Sequence, residues 1–125
     1  MVDMENVSNS ENLSSIINEC RDIAEKRIYD LLLSMGKIYN GAIIDDIEFV
    51  DTLKKINING FRCKLKRIEI KDYTDKYGWE RKGIYFVFNG KSNTDDYVQT
   101  IKQLQVKPLC KIADKLMEYS KKVVC

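Results

Sequence analysis

Residues 61–70 read Phe-Arg-Cys-Lys-Leu-Lys-Arg-Ile-Glu-Ile, and residues 83–89 read Gly-Ile-Tyr-Phe-Val-Phe-Asn. In the first run apolar and charged side chains alternate at period two, the pattern of a strand with one face in a core and the other in water. Phe61, Cys63 and Leu65 point inward, and the inward set resumes one residue out of phase at Ile68 and Ile70. That slip predicts a bulge near Lys66-Arg67. The polar loop between the two runs makes them a hairpin. In the second run Ile84, Phe86 and Phe88 share one face, while Tyr85 and Val87 share the other. A strand apolar on both faces is normally central in its sheet, so a third strand is expected beside it.

Residues 97–106 supply the candidate. Tyr97, Val98, Ile101 and Leu104 fit a helical stripe, whereas Val98, Thr100, Leu104 and Val106 fit a strand. The strand is preferred, because an isolated hairpin is marginal and Gly90-Lys91-Ser92-Asn93 has the composition of a turn.

Helices are expected before and after these strands in the chain. Residues 1–9 are polar and aperiodic and are read as a flexible lead-in. Ser8-Asn9-Ser10-Glu11 has the spacing of a capping box, and Leu13, Ile16, Ile17, Cys20, Ile23, Ala24, Ile28, Leu31 and Met35 follow at helical intervals, with Gly36 as a left-handed stop. This predicts a first helix of about 25 residues, on the order of 37 Å long. Its consecutive Leu31, Leu32 and Leu33 point about 100° apart, so a single partner surface cannot cover all three. Either a second helix of the same chain packs there or a twin subunit does, as a homodimer through this helix. Asp45 is expected to cap a short second helix bearing Phe49, Val50, Leu53 and Ile56, with Asn59-Gly60 breaking it ahead of the first strand. Pro108 suits the first turn of a final helix with Leu109, Ile112, Ala113, Leu116 and Tyr119 toward the core. The order is α-α-β-β-β-α: one α+β domain over residues 10–125, with helices on one face of a small antiparallel sheet of about three strands.

With 125 residues, 44% hydrophobic and 32% charged, the chain is long enough to bury one core and too short for two. Its 21 basic and 19 acidic residues leave a net charge of +2, so attraction to nucleic acid would have to come from local patches. The N-terminal residues lack the pattern of a secretory signal and no window reaches about 18 apolar residues, so a cytoplasmic protein without membrane spans is expected. Cys20, Cys63, Cys110 and Cys125 are widely spaced and are read as free thiols. Abundant Lys, Ile and Asn match the coding bias of an AT-rich genome, which points to a bacterial or phage origin.

The sequence has no histidine, which removes the commonest general base and the nucleophiles that depend on one. Gly90-Lys91-Ser92 lacks the glycine five positions earlier that a phosphate-binding loop needs, since Tyr85 stands there. The acidic groups Asp45, Asp46, Glu48, Asp51 and Asp95, Asp96 sit where helices or turns begin, which accounts for them without a metal. No cofactor is expected, and a non-enzymatic protein is the preferred reading.

What remains is a set of basic residues interleaved with aromatics. Arg62, Lys64 and Lys66 alternate along one strand face, and the loop adds Tyr73, Tyr77, Trp79, Arg81 and Lys82, with Tyr85 on the second strand. Lysine and arginine would hold phosphates while a ring stacks on a base, the division of labour of single-strand binders. The expected function is therefore a small protein contacting an anionic partner, nucleic acid or nucleotide, through this face. The alternative is a protein–protein inhibitor or adaptor anchored by the aromatic loop.

Overall fold

The computed structural model describes residues 2–53, 56–58, 60–89 and 96–124, with the backbone alone at 2–13, 61 and 124. In chain order the elements are α1 (Val2–Ser34), β1 (Ala42–Ile44), α2 (Ile47–Thr52), β2 (Ile56–Ile58), β3 (Phe61–Cys63), β4 (Leu65–Thr74), β5 (Glu80–Asn89), β6 (Asp96–Thr100) and α3 (Val106–Val124). The hairpin is β4 with β5, paired antiparallel from Leu65↔Phe88 to Thr74↔Glu80. Its register shifts between Leu65 and Arg67, so the bulge lies where the alternation slips. β5 is central, as its two apolar faces require, in a sheet ordered β1-β4-β5-β6.

The third strand forms, but it is shorter than expected. β6 pairs with β5 from Tyr85↔Thr100 to Asn89↔Asp96, after which residues 101–104 turn and α3 begins at Val106. The turn expected at Gly90-Lys91-Ser92-Asn93 lies outside the described residues.

Three further corrections concern boundaries and a fourth the number of strands. The backbone of α1 is helical from Val2, ahead of the start expected at Ser8, and the side chains of that capping box lie outside the described residues. Asp46, not Asp45, caps α2 by accepting the N–H of Glu48 at 2.9 Å. Ile56 leaves the helical stripe and enters β2, so α2 ends at Thr52. The sheet has four strands, because Ala42–Ile44 pairs with β4 through Ala42↔Ile70 and Ile44↔Ile68, and β2 with β3 forms a separate two-stranded ribbon. Gly60, at φ 86°, turns that ribbon in the Asn-Gly sequence that favours tight hairpins.

α1 stops where expected. Gly36 is left-handed at φ 70°; its N–H donates to Leu33 at 3.0 Å, and the Lys37 N–H donates to Leu32 at 2.9 Å. These are the paired bonds of a Schellman cap.

The inward face of the sheet carries Ala42, Ile44, Leu65, Ile68, Ile70, Ile84, Phe86 and Phe88. All join one core with Ala24, Ile28 and Leu32 of α1, Phe49 and Val50 of α2, and Leu109, Ile112, Ala113 and Leu116 of α3. Of the leucine run, Leu32 is fully buried, Leu31 packs at the core margin and Leu33 stays 55% exposed. Among the described residues no helix is long and apolar enough to cross a membrane.

Candidate functional site

The nine basic and aromatic residues singled out above all lie on or beside the hairpin, but the fold spreads them along its length. Arg62 belongs to β3, Lys64 links β3 to β4, and Lys66 sits in the bulge at the hairpin base. Tyr85 pairs with Glu69 and Thr100, part-way along. Lys82 and Arg81 pair with Asp72 and Tyr73 near the far end, and Tyr77 and Trp79 occupy the tip. Lys66 and Thr74 are eight steps apart at about 3.3 Å each, so the basic base and the aromatic tip are separated by roughly 26 Å.

At the base, charges are matched. Lys66 Nζ reaches Asp96 Oδ1 at 2.7 Å, Arg67 Nε reaches Glu69 Oε1 at 2.7 Å and its Nη2 reaches Asp96 at 3.5 Å. Lys64 Nζ stands 3.7 Å from Asp51. The bond from Arg67, with support from Lys71, holds Glu69 below its usual range, and Lys66 does the same for Asp96. Arg62 is exposed and has no ion pair among the described residues. The acidic group near α2 is also engaged, with Asp46 at the cap, Glu48 on Lys122 at 2.7 Å and Asp51 facing Lys64. Among the described residues no group of three or more Cys, Asp or Glu is placed to hold a metal.

The tip is built differently. Asp75 N–H donates to Trp79 O at 2.9 Å and Gly78 N–H to Asp75 O at 3.0 Å, with Gly78 at φ 83°. This is a three-residue hairpin loop, a tight turn followed by a left-handed residue, which explains glycine at 78. The Asp75 carboxylate fixes it from inside the bend: Oδ1 accepts the N–H groups of Tyr77 at 2.9 Å and Trp79 at 3.0 Å, and Oδ2 accepts Arg81 Nε at 2.7 Å. Arg81 foremost, with the backbone N–H of Trp79 and then Tyr77, keeps this carboxyl below its usual range. On this frame Tyr77 is 73% exposed and Trp79 67% exposed, and Lys76 Nζ lies 5.1 Å from the Tyr77 ring centre.

Asp75, whose carboxylate fixes the tip, is the residue that the sequence reading missed. Its signal was local and readable: an aspartate opening Asp-Lys-Tyr-Gly-Trp, a composition in which the side chain bonds to the backbone two residues on. Lys82 Nζ meets Asp72 across the strands, so its charge too is matched.

Comparison with protein-family models, curated proteins and solved structures finds no match to this chain, and its function is read from its own geometry.

Proposed function

We propose that this chain is a non-enzymatic binding protein that docks on a partner protein through the aromatic tip of its long hairpin. The observation that carries this reading is the placement of Tyr77 and Trp79 in water on a turn already locked by Asp75. Large apolar rings in water lose stability by being there, and they regain it when a partner covers them. Tryptophan, tyrosine and arginine are the residue types that dominate interface energies, typically by about 2 kcal/mol or more at a central position. A tip whose backbone is fixed beforehand gives up little further entropy on docking.

The second reading is the anionic partner, nucleic acid or nucleotide. It rests on Arg62, which is exposed with no ion pair among the described residues, beside Lys64 with its longer contact to Asp51. Lys66, Arg67 and Lys82 would each have to leave a carboxylate to serve a phosphate.

Salt separates the two, since phosphate contacts release counterions and weaken steeply with salt, whereas a desolvated ring does not. The immobilised protein and its Trp79→Ala and Arg62→Glu variants are to be compared as baits at low and high salt. A protein retained through high salt by the unaltered chain and lost with Trp79→Ala is the expected result. Retention undiminished in Trp79→Ala and Tyr77→Ala refutes the tip. Nucleic acid released by salt and lost with Arg62→Glu would establish the second reading.

A further inference from the structure

Beside the outer half of the hairpin, where β6 has ended, lies a cleft of about 720 Å³ between α1 and the sheet. Its mostly apolar walls include Tyr29 from α1 and Tyr73 and Tyr85 from the hairpin, with Lys26, Lys82 and Lys102 around them. The volume falls within the roughly 300–1,000 Å³ of small-molecule sites.

We infer that this cleft binds a small aromatic anion of the nucleotide class, its flat ring against the tyrosines and its phosphate at Lys26 and Lys102. Three features on different elements support the assignment. The first is the ring platform. Gly83 leaves room for the Tyr85 ring to lie against the backbone of β5, for a Cβ there would meet that ring at 2.8 Å. The second is a wall held in advance. Arg21 donates to the carbonyl oxygens of Ile101, Lys102 and Leu104, tying the turn after β6 to α1. The third is the balance of free charge. Glu25 is occupied by Arg21 at 3.3 Å and Lys82 by Asp72, so the lining charges without an ion pair among the described residues are Lys26 and Lys102 against Asp22. The uncommitted charge is therefore positive, beside rings that accept a base face in any sequence context. This inference stands apart from docking at the tip, since Tyr77 and Trp79 do not line the cleft.

The test is titration of the full chain with AMP, GMP and UMP, read by amide shifts of Gly83, Tyr85 and Ile101 and by calorimetry. Adenosine and inorganic phosphate serve as the two half-ligands. Saturable shifts at these amides are expected with the mononucleotides, with weaker binding of either half alone. Lys26→Glu and Lys102→Glu should each weaken AMP by roughly tenfold, the usual scale of a charge-assisted hydrogen bond. Both residues are exposed, so these variants are expected to fold, and Gly83→Val, which displaces the Tyr85 ring, supplies an independent readout. Adenosine binding as tightly as AMP would remove the role of the lysines. Phosphate binding as tightly would remove that of the rings. An oligonucleotide binding while mononucleotides do not would replace the proposal with a strand-binding surface. The absence of shifts with every ligand at millimolar concentration would overturn it.

Discussion

Gly78 gives the sharpest handle on whether the tip holds the shape described. Its φ of 83° is one that side chains rarely adopt, yet a Cβ placed there meets nothing within 4 Å. Gly78→Ala therefore adds strain and no clash. A left-handed backbone costs an L-residue about 1–2 kcal/mol, offset by the roughly 0.4–1 kcal/mol gained because alanine has fewer unfolded conformations to lose. The net cost is about 1 kcal/mol, or about a fivefold increase in opening of the turn. Hydrogen exchange at the Trp79 amide, which donates to Asp75, is the direct assay and should accelerate by that factor. If the tip opens only with the whole domain, the melting temperature should also fall, by about 3–6 °C for a chain of this size. Gly78→Asn should lie between the two, because asparagine tolerates the left-handed region better than alanine. Unchanged exchange and melting in Gly78→Ala, or an asparagine variant weaker than the alanine one, would refute the left-handed turn.

Three further outcomes are expected. Asp75 is held below its ordinary value by Arg81 and by the Trp79 and Tyr77 N–H groups, so its contribution is present above the ordinary carboxylate range near 4 and lost as pH falls through the lower, folded value. Trp79 emission should be flat from neutral pH to that range and change below it, and Asp75→Asn should remove the transition; an unaltered acid transition in Asp75→Asn would assign it elsewhere. Leu33, exposed on α1, is expected to meet a twin subunit, with light scattering giving a dimer mass that Leu33→Glu halves; a monomer mass for the unaltered chain would leave intrachain packing alone. Burial pushes the Cys63 thiol up while Cys20 is exposed, so a thiol reagent at mildly alkaline pH should label Cys20 ahead of Cys63, and equal rates at the two would contradict the burial.

Period-two alternation, the slip at Lys66-Arg67 and the two apolar faces of β5 are local properties, and all three were legible in the sequence. β1 was not, because Ala42, Ile43 and Ile44 are too few to display a period. Ile56 misled for a related reason: three residues beyond Leu53 it fits a helical step, and the Asn-Gly pair at 59 and 60 that marks a hairpin carried the competing signal. The basic face looked free because its partners are distant in sequence. Lys66 meets Asp96 thirty residues later, a pairing that only the return of β6 creates.

The hairpin outgrows its sheet. β1 contacts β4 only as far as Ile70, Asn40 adds one bond to the Asp72 N–H, and on the other side the last link is from Ile101 N–H to Ile84 O. From Tyr73 to Lys82 the two strands are a cantilever, paired as strands only with each other among the described residues. Ribbons of this kind twist and bend more readily than wide sheets. Four residue steps at about 3.4 Å give a lever of about 14 Å, so a 10° rotation at its root sweeps Tyr77 and Trp79 through about 2 Å. Because Asp75 fixes the turn itself, such bending carries both rings together without changing the spacing between them, and the tip can follow a shallow or offset cleft as a unit.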